Sequence, residues 1–595
     1  MNFLQVPILG LVLILQSTLS PAQKTWYVSP QGKDSQTGLS TQRPFRTLEK
    51  ALDALRREKK QPTAEYRIIL RGGTYAVSEP IRVDSRLGLG PQNKLTISAQ
   101  ADEAVVLSGN RTVQGTWQSV EPGLWKVPVK GYFNQLFIDG KRAIRARFPN
   151  EGTWLEPDTV QVDQHRLVFT GKLPSDLAKV AGAELHITGF WHYVRQKIAR
   201  FDIPSQTVLT ADYPGPEASS RKIENIDRAH FENALLFADI ENEWFLDSLR
   251  QELYLVSKTN PASKTIEYPV ASTLLVLEGQ EDAPLQRITL QGIRFTGTDW
   301  ALTPIGRKGI QAGYWGTTRE SPVYAPVAAL MLRWVEHSQI RGCRFEGLGE
   351  GAVTLGVGSS YNLIEKNSFE DVGANVIQVG YRESFVGDGH PLHKDFANPR
   401  EVSHHNVIRN NHLRNFATTD QGSVGIWIGY AHHNEVLHNL LEDFPYSGMS
   451  IGWRWDTLQT NCHHNLIAWN EVRDGMKYLS DGAGIYLVGN QPGTRVLDNW
   501  IHNIGGGYTI NAGIYVDEGG ANIELARNYF QNLTNPREAY PIKLHKIISS
   551  TMRIHGNGGE QTEQQIIKSN QVNRYAWHIN VPLGAPAHPE KYGPQ

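Results

Sequence analysis

Between Cys343 and Asn528 short apolar runs return in the same company. An apolar residue is followed by two variable positions, an Asn, and often another apolar residue two further on. The pattern reads IEKNSF at Asn367, IRNNHL at Asn411, VLHNLL at Asn439, IAWNEV at Asn470, VLDNWI at Asn499 and LARNYF at Asn528. Earlier, IRGCRF has Cys343 in the Asn place and LQGIRF has Ile293. Steps from Cys343 onward are 24, 44, 28, 31, 29 and 29 residues. Runs this short, β-branched and punctuated by Gly or Asn, predict strands rather than helices. A period of 24 to 31 residues predicts one coil of a solenoid. The expected class is all-β: a right-handed parallel β-helix whose coils stack about 4.8 Å apart. Asn at the fixed phase is expected to take a left-handed turn and to bond the next coil's backbone. The 44-residue step holds one coil plus an excursion, YRESFVGDGHPLHKDFANPREV. No leucine-rich consensus appears, and a propeller needs repeats nearer 40 to 45 residues.

A second phase runs with the first. Ser423–Trp427, Gly482–Tyr486 and Asn511–Tyr515 share a Gly-Ile-aromatic strand, and Ala483 to Ala512 spans 29 residues, as Asn470 to Asn499 does. Period-two alternation points each Ile inward and each aromatic outward. Trp427, Tyr486 and Tyr515 are therefore expected to form an outward, sugar-facing wall. His-His-Asn occurs three times, each Asn (Asn406, Asn434, Asn465) five residues before a ladder Asn. That offset predicts stacked imidazoles at His404, His432 and His463; the repeat accounts for the spacing, and no metal is assigned.

The first half differs. A strand, a Gly-rich turn and an apolar-periodic helix from about Leu48 to Leu55 open it. The expected organisation is a leader at 1–22, an N-terminal part with the first coils at 23–110, an inserted β-rich domain at 111–280, and the main β-helix with its groove at 281–595. The leader is read from the apolar stretch Val6 to Leu15 followed by Ser20 and Ala22, although no Lys or Arg precedes it. It predicts a periplasmic or secreted protein, and no segment suits a membrane span.

The net charge of −1 removes the basic footprint of a nucleic-acid binder. Fifteen Trp and 22 Tyr supply planar faces that suit sugars as well as cores. Only Cys343 and Cys462 occur, so there is no disulfide framework, and buried free thiols are expected. The expectation is a monomer without a cofactor, with an oligo- or polysaccharide as its partner.

Three motifs together carry a family resemblance: YVSPQGKDSQTG…PFRTLEKAL, FNQLFIDGKRAIRARFPN, and the pair SDGAGIY…AGIYVDEGG. The chain resembles secreted β-helical glycoside hydrolases, and glycoside hydrolase family 141, with its α-L-fucosidase and xylanase activities, fits best. In that family the candidate catalytic pair is two aspartates, which motif matching places at Asp481 and Asp517. Residue chemistry agrees: glycoside hydrolysis needs one carboxyl to protonate the leaving oxygen and another to activate water or attack. The two lie on neighbouring coils, just before and just after one Gly-Ile-Tyr strand. Strict alternation puts Asp517 on the Tyr515 face but Asp481 on the Ile485 face, so a bend at Gly482 is expected to turn Asp481 outward.

Several residues are candidates for holding substrate. Trp453 and Trp455 form an expected stacking platform, with Arg454 as a clamp and Asp456 as a third acid. Glu518 adjoins Asp517, His192 is a candidate reaching over from the insert, and Lys543 could line the end of the groove. Two other functions share this fold: a polysaccharide lyase acting on uronates with a Lys or Arg base, and a non-catalytic carbohydrate-binding surface protein.

Overall fold

In the computed structural model the described residues are 23–559, apart from 162–163, 213–220, 223–227, 304–305, 317–321, 382–389, 392–394, 507–509 and 536–538, together with residue 594. The expected leader lies outside them. Three long parallel sheets of twelve, eleven and ten strands run side by side. The chain visits them in turn: Leu466–Ala468 in the first sheet, Glu471–Gly475 in the second, Gly482–Leu487 in the third, then Asn490–Leu497 back in the first. Each such circuit is one coil, and the inward Ile, Leu, Val and Phe of all three sheets fuse into one core. The helix Leu48–Arg57 buries Leu48, Ala51, Leu52 and Leu55 against the opening strands, with Thr47 accepting from the Lys50 amide as N-cap.

Asparagine holds successive coils together along two lines. At the corner between first and second sheets, each Asn Oδ1 accepts the backbone N–H of its counterpart one coil back. The distances are 3.0 Å for Asn411 to Asn439, 2.9 Å for Asn439 to Asn470 and 3.0 Å for Asn470 to Asn499. Nδ2 donates to carbonyls of the preceding coil, as Asn439 does to Ile408 O at 2.9 Å. The Asn of each His-His-Asn forms a second ladder at the corner between third and first sheets, Asn406 to Asn434 at 3.0 Å and Asn434 to Asn465 at 2.9 Å. One expectation is corrected here. The left-handed residue is the one before each Asn (His438 at φ 53°, Trp469 at 56°, Asp498 at 54°), which frees the Asn amide to lie along the ladder.

His405, His433 and His464 take that left-handed position at the second corner. Their rings and those of the preceding His stack from coil to coil, His404 on His432 at 5.1 Å and His432 on His463 at 4.6 Å, nearly parallel. The triplet is coil punctuation, as its phase predicted. Cys343 and Cys462 are buried and free.

Between Val105–Ser108 and Leu275–Glu278 the chain leaves the coils and builds antiparallel sheets. These enclose two separate cores, one around Val127, Phe133, Trp244 and Leu253, the other around Leu167, Leu185, Val194 and Phe231. A later excursion, Arg307–Gln311 and Tyr314–Gly316, adds to the second of these sheets by pairing with Tyr193–Asp202. It carries insert backbone across the outer face of the third sheet.

Candidate active site

The outer face of the third sheet holds one row of side chains in register: Gln378, Trp427, Ser450, Tyr486, Tyr515 and Lys543. Its expected role as an open aromatic wall is corrected. Trp427 is wholly buried because Tyr314, delivered by the later excursion, packs 4.5 Å from it. Tyr486 and Tyr515 are also buried, but their hydroxyls are committed to a carboxylate. Tyr486 donates to Asp517 Oδ2 at 2.6 Å and Tyr515 to Asp517 Oδ1 at 3.1 Å.

Asp481 reaches the same place from the other end of the strand. The expected bend at Gly482 is found two residues on. A Cβ on Gly484 would stand 2.7 Å from Ile501 Cγ2, so Gly484 faces the interior, and so does Ile485. Two consecutive inward residues break the alternation, and Ala483 joins Tyr486 and Tyr515 outside. Gly482 then faces Ser447, Tyr446 and Met476, and Asp481 faces out to meet Lys543. Gly513 repeats the device one coil later against Phe530. Asp481 itself is left-handed at φ 52°, a conformation Asp tolerates.

The electrostatics separate the two acids. Asp517 is 7% exposed, and its carboxyl is pushed above the ordinary carboxylate range, first by burial and then by the charge of Asp481. The Tyr486 hydrogen bond works the other way but does not win. Asp481 has an ammonium partner, Lys543 Nζ at 3.3 Å, and its side chain is about 25% exposed. The charges of both carboxylates act on Tyr515, whose hydroxyl donates to Asp517. Lys543 also stands 4.2 Å over the Tyr515 ring. The expected groove residue Lys543 thus belongs to the pair.

Residues that spacing gave no reason to select complete the site. Tyr446 donates to the Asp481 carbonyl at 3.2 Å and accepts from Gln311 at 2.9 Å. Ser447 Oγ accepts the Ala483 N–H at 3.2 Å, and Phe190 O accepts the Ser480 N–H at 2.7 Å. Tyr446 falls in a coil without the Gly-Ile-Tyr signature, so only the packing of coils reveals it.

Other candidates are placed elsewhere. Trp453 is not an open platform: it is buried between Tyr314 at 4.8 Å and Trp455 at 5.0 Å, and Trp455 is half-buried. Arg454 and Asp456 are 2.6 Å apart, and Asp456 also accepts the Leu458 N–H, so this carboxylate shapes its own loop rather than serving as a third acid. Glu518 turns to the surface and pairs with Lys546. His192 is 4% exposed and packs edge-on to Trp191, so it lines no open groove.

Among the described residues, two clusters have donor sets a metal could use: His432, His433 and His463 on the stack, and His186, His230 and Glu232 in the insert. In the second, Arg145 lies 3.6 Å from Glu232 and supplies the positive charge itself. His230 is pushed down to about 3, chiefly by burial.

Residues 401–530 match the family model described as right handed beta helix region. The fold is a right-handed parallel β-helix. No curated protein matches the sequence. A solved structure titled glycoside hydrolase superposes on this β-helix with a TM-score of 0.76 at 22% identity, covering 96% of this chain and 99% of that one. The complex of XylC with xylose gives a TM-score of 0.44 at 14% identity over 90% of this chain and 83% of that one. Pectate lyase Pel9A gives 0.35 at 10% identity over 91% and 80%.

Proposed function

We propose that the protein is an exported glycoside hydrolase, working in the periplasm or outside the cell as a monomer on a fucoside or xyloside linkage of a complex polysaccharide. The observation that carries the reading is the meeting of Asp517 and Asp481 around Tyr515 in unlike environments: Asp517 accepts from its hydroxyl, and Asp481 pairs with the ammonium that lies over its ring. Asp517, which burial and its neighbour's charge make a weaker acid than an ordinary carboxyl, gives its proton to the leaving oxygen. Asp481, accompanied by Lys543, activates the water or attacks the anomeric carbon. Tyr486 and Tyr515 hold the Asp517 carboxyl in one orientation and receive it as an anion once the proton has gone. The family 141 motifs and the likeness in fold to a structure titled glycoside hydrolase support the same reading.

The test is a screen of aryl fucosides, xylosides and galactosides with the intact protein and with Asp481→Asn and Asp517→Asn. Release of the aryl group by the unmodified protein, lost in both variants, is the expected result. Appearance of an unsaturated, ultraviolet-absorbing product from a uronate polymer would instead mean elimination, and the pair would not be an acid and a base or nucleophile for hydrolysis.

A further inference from the structure

A cavity of about 460 Å³ lies between the antiparallel insert and the coils, and the Asp pair makes no use of it. Its lining is polar and includes Arg145, Arg195, His186, Tyr193, Trp300 and Gln421. Most of the charges there are neutralised within the protein. Arg145 grips Glu184 through two nitrogens at 2.5 and 3.0 Å. Glu232 sits against His230 at 2.8 Å and is held well below the ordinary carboxylate range, though burial opposes this, by His186, His230 and Arg145.

Arg195 has no ion pair among the described residues. It is 2% exposed, its guanidinium lies 4.1 Å over the Trp300 ring, and its Nε and Nη1 have no hydrogen-bond partner among the described residues. The carboxyl whose charge it feels, Asp420, is buried, is pushed up to about 6, and accepts from the Gly422 N–H at 3.2 Å. Leaving guanidinium N–H groups dry and unbonded is costly. A planar, stacked guanidinium is a recurring receptor for carboxylates, and a sugar hydroxyl is a weaker match.

The cavity also stands in line with the Asp pair. Gln421 and Ser480 hold the same place in their coils, each five residues before the Ile of the Gly-Ile step, and those coils are two apart. Two coil steps are about 10 Å, the length of a disaccharide. One insert segment borders both: Thr188 Oγ1 bonds Gln421 at 2.7 Å, and Phe190 O takes the amide of Ser480, next to Asp481.

We propose that this cavity is a subsite for a carboxylate-bearing sugar, a uronate one or two units from the linkage held by Asp481 and Asp517. Only the position relative to a cleaved bond rests on the hydrolase reading; binding does not.

The experiment is calorimetric titration of the full chain with digalacturonate and with glucuronosyl-xylose, each as the free acid and as the methyl ester. The acid should bind about tenfold or more tightly than its ester, the worth of one charge-assisted hydrogen bond. Arg195→Gln should erase that preference and Arg195→Lys should restore part of it. Equal affinity for acid and ester, binding of neither, or a full preference surviving in Arg195→Gln would each overturn the subsite. The acid–ester comparison needs no variant, so a misfolded substitution does not blunt it. Acid-selective binding without sugar release from any glycoside would sink the hydrolase reading and leave the subsite standing. Hydrolysis without acid preference would do the reverse.

Discussion

The hydroxyl of Tyr486 stands 2.6 Å from Oδ2 of Asp517, on a carboxyl that burial and Asp481 hold above the ordinary range. Two opposed influences therefore set one proton, and each can be removed separately. Tyr486→Phe deletes a donor that favours the carboxylate, so Asp517 should keep its proton to higher pH. Asp481→Asn deletes a repelling charge, so it should lose its proton at lower pH. Carbon-13 carboxyl titration by NMR reads both shifts, and the alkaline limb of the rate profile should follow the first. Shifts of the same sign in both variants would refute this assignment of causes.

A raised carboxyl is a load on the folded state. Its contribution to stability is full below the unfolded-state value and is lost as pH rises through the folded-state value. Asp517→Asn removes the load, keeps an acceptor for one tyrosine and offers an N–H to the hydroxyl oxygen of the other. Melting of this variant should lie above the parent at neutral pH, and the gap should close near pH 4. A parent that melts higher throughout the neutral range would contradict the raised value.

The Gly484–Ile485 step is what turns Asp481 outward, and a side chain at 484 has no room beside Ile501. Gly484→Ala should cost about 1–3 kcal/mol by overpacking and should lower kcat sharply in the fraction that remains folded. Thermal melts with rate measurements on the folded fraction check this. Full activity would mean that Asp481 does not depend on that step.

The two asparagine ladders predict a contrast between neighbours in sequence. Asn439→Ala leaves the Asn411 N–H buried without its acceptor, a loss of about 2–4 kcal/mol over the several bonds broken. His433→Asn, exposed and still suited to a left-handed turn, should cost less than about 0.5 kcal/mol. Urea unfolding of both measures the difference.

Much of the architecture was legible because a parallel coil repeats its chemistry. The Asn spacing marked one corner, the His-His-Asn triplet another, and the Gly-Ile-Tyr strand the face that carries both aspartates. What the repeat could not convey was what other segments lay over it. Trp427 and Trp453 look open in the coil pattern, but Tyr314, from an excursion more than a hundred residues earlier, covers them. Tyr446 and Phe190 escaped notice for the same reason: their roles come from coil stacking and insert docking, which leave no local spacing. The outward turn of Asp481 was foreseen but misplaced, because a Gly facing the core can hold a break in alternation that a Gly before the strand only suggests.

In the proposed mechanism Asp517 is the proton donor, and Asp481, paired with Lys543, is the base or nucleophile. This assignment is tested most directly by hydrolysis rates of Asp517→Asn on two glycosides of the sugar that the unmodified protein cleaves, one with a dinitrophenyl and one with an alkyl leaving group. Loss of the acid should cost about 10²–10⁴-fold on the alkyl glycoside and far less on the dinitrophenyl glycoside, which needs no proton to leave. Asp481→Asn should abolish both alike. Equal losses on the two substrates in Asp517→Asn, or a rate matching the parent on the alkyl glycoside, would contradict it.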